Sequence, residues 1–113
     1  MISKTLVAAS TKPLVLAILK NGENYGYEII QRVREISGGR LEWSEPMLYP
    51  FLQRLERDGL VKSTWKITEK KRFRKYYRLT EKGLREQERE KAQWFMVDEI
   101  FRRLLGVPLT AGE

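Results

Sequence analysis

The 113-residue sequence contains no cysteine and no histidine. Without cysteine there is no disulfide, no catalytic thiolate and no zinc site of the common cysteine-containing kinds. Without histidine the chain also lacks the side chain most often used for proton transfer near neutral pH. The sequence shows no phosphate-binding loop and no evident pair of catalytic carboxylates. We therefore expect a protein that is not an enzyme and that carries no metal or other cofactor.

Long apolar segments are also missing. No run approaches the ~20 residues that cross a bilayer, and the amino-terminal segment is not apolar enough for a secretory signal. Hydrophobic residues make up 42% of the chain and charged residues 33%, which is typical of one globular domain. We expect a soluble cytoplasmic protein that does not associate with a membrane.

Positive charge is present in excess, and it is concentrated in one short segment. The whole chain carries a formal net charge of +7. Residues 66–78 contain seven basic residues and one acidic residue, a net charge of +6. Such a segment produces a strong local field, which attracts a polyanion.

The periodicity of apolar residues, together with capping residues, predicts four helices and three strands. The predicted helices cover about residues 6–20, 25–37, 45–57 and 81–105, and the predicted strands cover 41–43, 60–65 and 75–79. Thr11 and Pro13 either start a new helix or bend a longer one. This order predicts an α+β, mostly helical fold: a winged helix-turn-helix in residues 1–80, followed in residues 81–113 by a long dimerisation helix and a tail.

The third predicted helix, which begins after the capping residue Ser44, has two different faces. Its apolar residues follow the i, i+3, i+4, i+7 spacing of a buried face: Leu48, Phe51, Leu52 and Leu55. Its predicted DNA contacts lie on the other side or its flanks: Tyr49, Gln53, Arg54 and Arg57. In a helix-turn-helix the second helix enters the major groove, where Arg and Gln hydrogen-bond to purines. An ordinary solvated helix face explains the same residues about equally well.

The loop between the last two strands carries more cations than a sheet edge needs to avoid pairing with another chain. The predicted DNA contacts in and beside this loop, which hold phosphates or enter the minor groove, are Lys71, Arg72, Arg74 and Lys75, with Lys70 next to them. Neutralising phosphates and releasing counterions is the physical use of such a cluster. We therefore favour nucleic acid over a solvated loop, and we expect Phe73 to pack against the strands rather than touch a sugar.

The last helix is electrically neutral, with six acidic and six basic residues between positions 81 and 105. Its second half is apolar over much of its circumference: Trp94, Phe95, Met96, Val97, Ile100, Phe101, Leu104 and Leu105. Such a helix must be buried on several sides, so we expect it to pack on helix one and on a second subunit. A twofold homodimer suits a palindromic operator. Trp94 is either a core residue of that interface or half of a flat slot that stacks on an aromatic ligand.

Three segments carry a family resemblance: YGYEIIQRV, LYPFLQRLERDGLV and RKYYRLTEKG. At these separations they resemble the PadR family of bacterial transcriptional regulators, whose short form ends in one dimerisation helix. The resemblance covers residues 6–105. It implies a homodimeric repressor that binds double-stranded operator DNA and responds to a small molecule. Winged-helix domains also serve as protein-interaction modules without sequence-specific DNA binding, which is the alternative function.

The spacing also resembles that of the multidrug-sensing members of the family, in which a tryptophan of the last helix lines a pore at the dimer interface. This resemblance implies that Trp94 stacks on a planar aromatic effector, that Asp98 faces a cationic drug, and that Ala9 joins the pore lining. Other members respond to phenolic acids. Where relatives usually carry glycine at the wing tip, this chain has neither glycine nor proline in residues 71–75, which predicts a less sharply turned or more mobile tip.

Overall fold

Four helices and a small antiparallel sheet form the fold in the computed structural model, which describes residues 1–108. The elements are α1 (Lys4–Lys20), β1 (Asn24–Tyr25), α2 (Gly26–Ile36), α3 (Glu45–Arg57), β2 (Val61–Ile67), β3 (Phe73–Leu79) and α4 (Glu81–Leu105). The predicted α+β class with a winged helix-turn-helix and a long last helix is confirmed. Residues 109–113 of the predicted tail lie outside the described residues.

Helix α1 is continuous through Pro13, which decides between the two alternatives for this segment. The helix begins after Ser3, whose hydroxyl accepts a hydrogen bond from the Leu6 amide at 3.2 Å. Proline has no amide hydrogen to bond the carbonyl four residues earlier, yet the helix tolerates the missing bond. Two residues before the proline, the Thr11 hydroxyl donates to the Val7 carbonyl at 2.7 Å, and Thr11 is buried.

The first strand differs from the prediction. Residues 41–43 are irregular, so the predicted strand there is wrong; the strand is instead Asn24–Tyr25. This strand pairs with β3, giving the sheet order β1-β3-β2. Leu41 and Trp43 are both buried in the core, which explains their apolar alternation without any strand pairing.

Helix α3 has the predicted cap and the predicted buried face. The Ser44 hydroxyl accepts a hydrogen bond from the Met47 amide at 3.3 Å, and Glu45 lies in the first turn, where a negative charge is favourable. Leu48, Leu52 and Leu55 are 3% exposed or less. The core therefore holds α3 by one face and leaves the opposite face accessible.

Strands β2 and β3 form the wing, in a register that runs from Val61 opposite Leu79 to Ile67 opposite Phe73. The turn is closed by a hydrogen bond from the Thr68 amide to the Arg72 carbonyl at 2.8 Å. Lys71 has a φ of 58°, the left-handed conformation that glycine usually supplies. Lys71 thus adopts the backbone conformation that a glycine would otherwise supply. The tip turns tightly, although the lack of glycine and proline predicted a less sharply turned tip.

Helix α4 packs against α1 through its first half. Ion pairs connect Lys12 to Glu86 and Lys20 to Glu88, and Gln87, between the two glutamates in the sequence, is buried. Within the described residues, none of the helices combines the length and hydrophobicity needed to span a bilayer.

Candidate nucleic-acid interface

The accessible face of α3 carries most of the side chains predicted to contact DNA. Gln53, Arg54 and Arg57 are all exposed, opposite the buried leucines of the same helix. Arg54 leans to one flank, because its guanidinium lies 5.5 Å from the centre of the Phe51 ring. Gln53 and Arg57 are left on the side that faces away from the core.

Tyr49 lies at the other flank of α3, directly against the start of α2. A Cβ atom added to Gly26 would lie 2.4 Å from Cε1 of Tyr49, so the ring occupies the space that any other residue would fill. The Tyr49 side chain is 37% exposed. The pKa of the Tyr49 phenol is raised, mainly by partial burial and to a smaller extent by the neighbouring Glu45 carboxylate. A tyrosine phenol is protonated at neutral pH with or without such a shift, so the Tyr49 hydroxyl can donate a hydrogen bond.

The register of the wing places four of the five cations in its strands on one face, which we call the cationic face. The cations of this face are Lys62, Lys66, Arg74 and Arg78. They alternate along the strands with residues on the face that packs on the core. The Arg74 guanidinium lies 5.8 Å from the centre of the Tyr25 ring, and Tyr25 meets Tyr76 edge to face at 5.2 Å. The Tyr25 and Tyr76 rings therefore pack beside Arg74, which lies near the outer end of the hairpin.

A cleft of about 760 Å³ joins the wing to the first turn of α3. Its charged lining consists of three cations and three carboxylates. Lys70, Arg72, Arg74 and Glu69 line it from the wing, Glu45 lines it from α3, and Glu28 lines it from α2. Tyr25 and Tyr27 form its inner side. These two tyrosines were not among the predicted site residues; their only signal in the sequence was the YGYE segment at the start of α2.

The predicted wing cations do not all lie together. Lys71 and Arg72 are exposed at the tip, and Arg74 lies on the cationic face. Lys75 lies on the opposite face, where its Nζ is 3.6 Å from Oε1 of Glu56 in α3. The other carboxylate oxygen of Glu56 accepts a hydrogen bond from the Ser63 hydroxyl at 2.6 Å.

Phe73 contacts the neighbouring strand, as predicted, but remains 61% exposed. Its ring stacks on Trp65 with centroids 5.2 Å apart and planes 15° apart.

The predicted effector residues lie on α1 and α4 and are accessible in a single subunit. Ala9 is exposed on α1, and Trp94 is 37% exposed on α4. One turn after Trp94, Oδ2 of Asp98 accepts a hydrogen bond from Nε of Arg102 at 2.9 Å. Around these residues the second half of α4 exposes a band of large apolar side chains, each 37% exposed or more: Trp94, Phe95, Met96, Val97, Ile100, Phe101, Leu104 and Leu105.

Comparison with known proteins identifies the family. The sequence model of the PadR-like transcriptional regulator family matches residues 15–89. An uncharacterised protein of Lysinibacillus sphaericus is 26% identical over 100 residues, which cover 88% of this chain and 92% of that protein. The transcriptional regulator YqjI of Escherichia coli is 30% identical over 97 residues, 85% of this chain but only 45% of YqjI. This chain thus spans about half the length of that relative.

Solved structures agree with the sequence comparison. A PadR-like transcriptional regulator from Bacillus cereus superimposes with a TM-score of 0.81 at 30% identity, covering 97% of this chain and 100% of that one. A transcriptional regulator from Clostridium thermocellum superimposes with a TM-score of 0.79 at 27% identity, covering 91% of this chain and 97% of that one. The protein is therefore a member of the PadR-like family of transcriptional regulators.

Proposed function

We propose that this protein is a homodimeric, sequence-specific DNA-binding repressor. The observation that carries the proposal is the cleft between the wing and α3, because it brings Arg72 and Arg74 next to the first turn of the helix that exposes Gln53 and Arg57. Residues 1–80 bind DNA and residues 81–113 hold the dimer together. A repressor acts where the bacterial chromosome is, so we assign the dimer to the cytoplasm.

In the proposed complex, α3 enters the major groove of each half-site. Gln53 and Arg57 reach base edges, where paired hydrogen bonds distinguish purines. Arg54 contacts the flank of the groove. Tyr49 donates its phenolic hydrogen to a phosphate, since a phenol is protonated at neutral pH.

The wing binds the phosphate backbone beside the major groove. The positive charge there comes from Lys71, Arg72, Arg74 and Lys75. Their phosphate contacts fix the position of the protein along the duplex but do not distinguish base pairs. If a dimer neutralises about 6–10 phosphates, its affinity falls by about 10³–10⁵-fold between 50 and 200 mM salt.

The apolar band of α4 supports dimerisation through that helix. A monomer rarely exposes a contiguous apolar surface of this extent. Pairing two α4 helices about a twofold axis covers the band and presents two α3 helices to half-sites about 34 Å apart, one turn of DNA. The operator is therefore palindromic.

We further propose that a planar aromatic or phenolic effector binds at this dimer interface. Trp94 of each subunit stacks on the ligand, Ala9 lines the same space, and Asp98 attracts a cationic group in exchange for its pairing with Arg102. Such an effector lowers operator affinity only if it binds more tightly to a dimer whose two α3 helices have a spacing that does not fit the operator. Titration with planar aromatic compounds tests this: unchanged Trp94 fluorescence together with unchanged DNA affinity overturns the effector proposal.

The DNA-binding proposal is tested by selecting duplexes from a random pool and by gel shift with the chain's own upstream region, competed by random DNA. We expect a palindromic consensus, and we expect Gln53→Ala to relax its sequence while Arg72→Ala weakens all sequences alike. A DNA affinity that is the same for all sequences and does not change with salt concentration overturns the proposal. If an acidic protein competes for the wing instead, the chain is a protein-interaction module.

A further inference from the structure

A second cavity, of about 610 Å³, lies between α1 and α2, and we call it the α1–α2 cavity. Cavities of about 300–1,000 Å³ have the size that holds small molecules. The apolar part of its lining is aliphatic throughout: Leu14, Ala17, Ile18, Val33, Ile36 and Leu41. A flat aromatic ligand gains from stacking on aromatic rings, and this lining offers none. The cavity therefore favours a flexible aliphatic chain.

The α1–α2 cavity is separate from the surfaces assigned to DNA and to the dimer. Among the described residues that line it, none belongs to α3, to α4 or to the wing. Lys12, which pairs with Glu86 of α4, lies about 160° around α1 from Leu14, which lines the cavity. Ala9 lies on the same side of α1 as Lys12. Pairing of two α4 helices therefore leaves the α1–α2 cavity accessible.

The aliphatic lining has a buried floor and an exposed rim. Val33 and Leu41 are buried at the floor. Ile36, one turn after Val33 on α2, is 64% exposed at the rim. Covering Ile36 with an aliphatic chain removes apolar surface from water on both molecules, which stabilises the complex.

Arg32 supplies the charge that selects the ligand. It lines the cavity and is half-buried, and among residues 1–108 no carboxylate lies within ion-pairing distance of its guanidinium. Glu23, also in the lining, is paired with Lys66. Glu28 lies one turn before Arg32, at the boundary with the cleft beside the wing, since it lines both. A carboxylate suits Arg32 best, because its two oxygens match the paired N–H groups of a guanidinium.

We propose that the α1–α2 cavity binds an aliphatic carboxylic acid, with the carboxylate on Arg32 and the chain along Val33, Ile36 and the adjoining face of α1. The site is additional to the aromatic effector site proposed at Trp94. It does not depend on the proposed DNA-binding function. The head group forms charge-assisted hydrogen bonds, and the chain covers the exposed rim of the cavity.

The first test needs no variant. Decanoate, kept below the concentration at which it forms micelles, is titrated into the methyl-labelled full chain and followed by NMR. The methyl signals of Ile18, Val33 and Ile36 are expected to shift until they saturate, while those of Ile100 and Leu104 in the apolar band of α4 stay unchanged. From hexanoate through octanoate to decanoate, affinity is expected to rise by up to about fourfold for each added methylene that enters the cavity.

The second test separates the head group from the chain. Arg32→Gln is expected to weaken decanoate binding by about tenfold or more, since charge-assisted hydrogen bonds are lost. The same variant should bind decanol as the wild type does, because decanol has the chain without the charge. Arg34→Gln is the matched control: it removes the same charge two residues away, where Arg34 pairs with Glu42, and should leave decanoate binding unchanged.

Four results would each overturn the inference. The first is the absence of saturable methyl shifts with decanoate. The second is a set of shifts confined to the apolar band of α4, which would place decanoate at the dimer interface. The third is equal decanoate binding by Arg32→Gln and the wild type. The fourth is tighter binding of decylamine than of decanoate, which would show that a carboxylate of the lining holds the head group. All four leave the proposed DNA-binding function intact, and a failure to select any duplex leaves this inference intact.

Discussion

Nζ of Lys75 in the wing lies 3.6 Å from Oε1 of Glu56 in α3, so a cation predicted to hold phosphate already has an anionic partner. Both side chains are about one-third exposed. Pairs of this kind typically stabilise a fold by about 0–1 kcal/mol. The interaction therefore matters less for stability than for the charge that the wing presents to DNA.

Replacing Lys75 is expected to affect DNA binding less than replacing Arg72. Lys75→Ala removes a charge that Glu56 partly neutralises, whereas Arg72→Ala removes a charge from the exposed tip. We expect Arg72→Ala to reduce the slope of log affinity against log salt by about 1, and Lys75→Ala to reduce it by clearly less. Affinities at four salt concentrations measure both slopes. Equal slopes for the two variants would show that the ion pair opens on binding.

Gly26→Ala is expected to change DNA affinity more than stability. The new Cβ would lie 2.4 Å from the Tyr49 ring, and a partly exposed ring can swing away from it. Fluorescence anisotropy is expected to show about a tenfold loss in DNA affinity, the size of one lost charge-assisted hydrogen bond.

Gly83→Ala is the contrasting variant. Its Cβ would lie 2.0 Å from the Leu60 carbonyl oxygen, which is backbone and cannot rotate away. Urea unfolding is expected to show a loss at or above the upper end of the roughly 1–3 kcal/mol of overpacked cores. A Gly26→Ala variant that is as unstable as Gly83→Ala would show that Tyr49 is held in place as part of the core.

Phe101→Glu is expected to convert the dimer into a monomer. Phe101 is 60% exposed within the apolar band of α4, so a carboxylate there costs little in one subunit but would be buried in a dimer. Sedimentation equilibrium measures the mass, and the melting temperature should become independent of protein concentration. Ala92→Glu adds the same charge on the opposite side of the helix and should leave the dimer intact. A monomeric wild-type chain would refute the proposed assembly.

Glu86 is expected to make stability depend on acid pH. Hydrogen bonds from Lys12 and then from Arg89 hold the pKa of the Glu86 carboxyl below its ordinary value. Its stabilisation is therefore complete above the unfolded pKa of about 4.3 and is lost as the pH falls through the lowered folded pKa. Urea unfolding between pH 7 and pH 3 should show a shallower decline for Glu86→Gln than for the wild type, while Glu35→Gln serves as an exposed control. Identical declines for Glu86→Gln and the wild type would contradict this role.

Local chemistry made much of the fold predictable. Ser44 caps α3, its leucines have the spacing of one buried face, and the alternation along β3 gives the wing its pairing. These features depend on residues a few positions apart, so the sequence alone carries them. The predicted strand at 41–43 failed because Leu41 and Trp43 satisfy the same alternation by burial in the core.

By itself, the sequence determined the order of the elements, the buried face of α3 and the charge of the wing, since each follows from neighbouring residues. Only the tertiary structure decided which wing cation faces α3, that Tyr49 lies against Gly26, and that the cleft includes Tyr25 and Tyr27. These relationships join segments that are far apart in the chain, and strand register and helix packing fix them. For the same reason Trp65, Ile67 and Phe73 become one surface only when the hairpin closes.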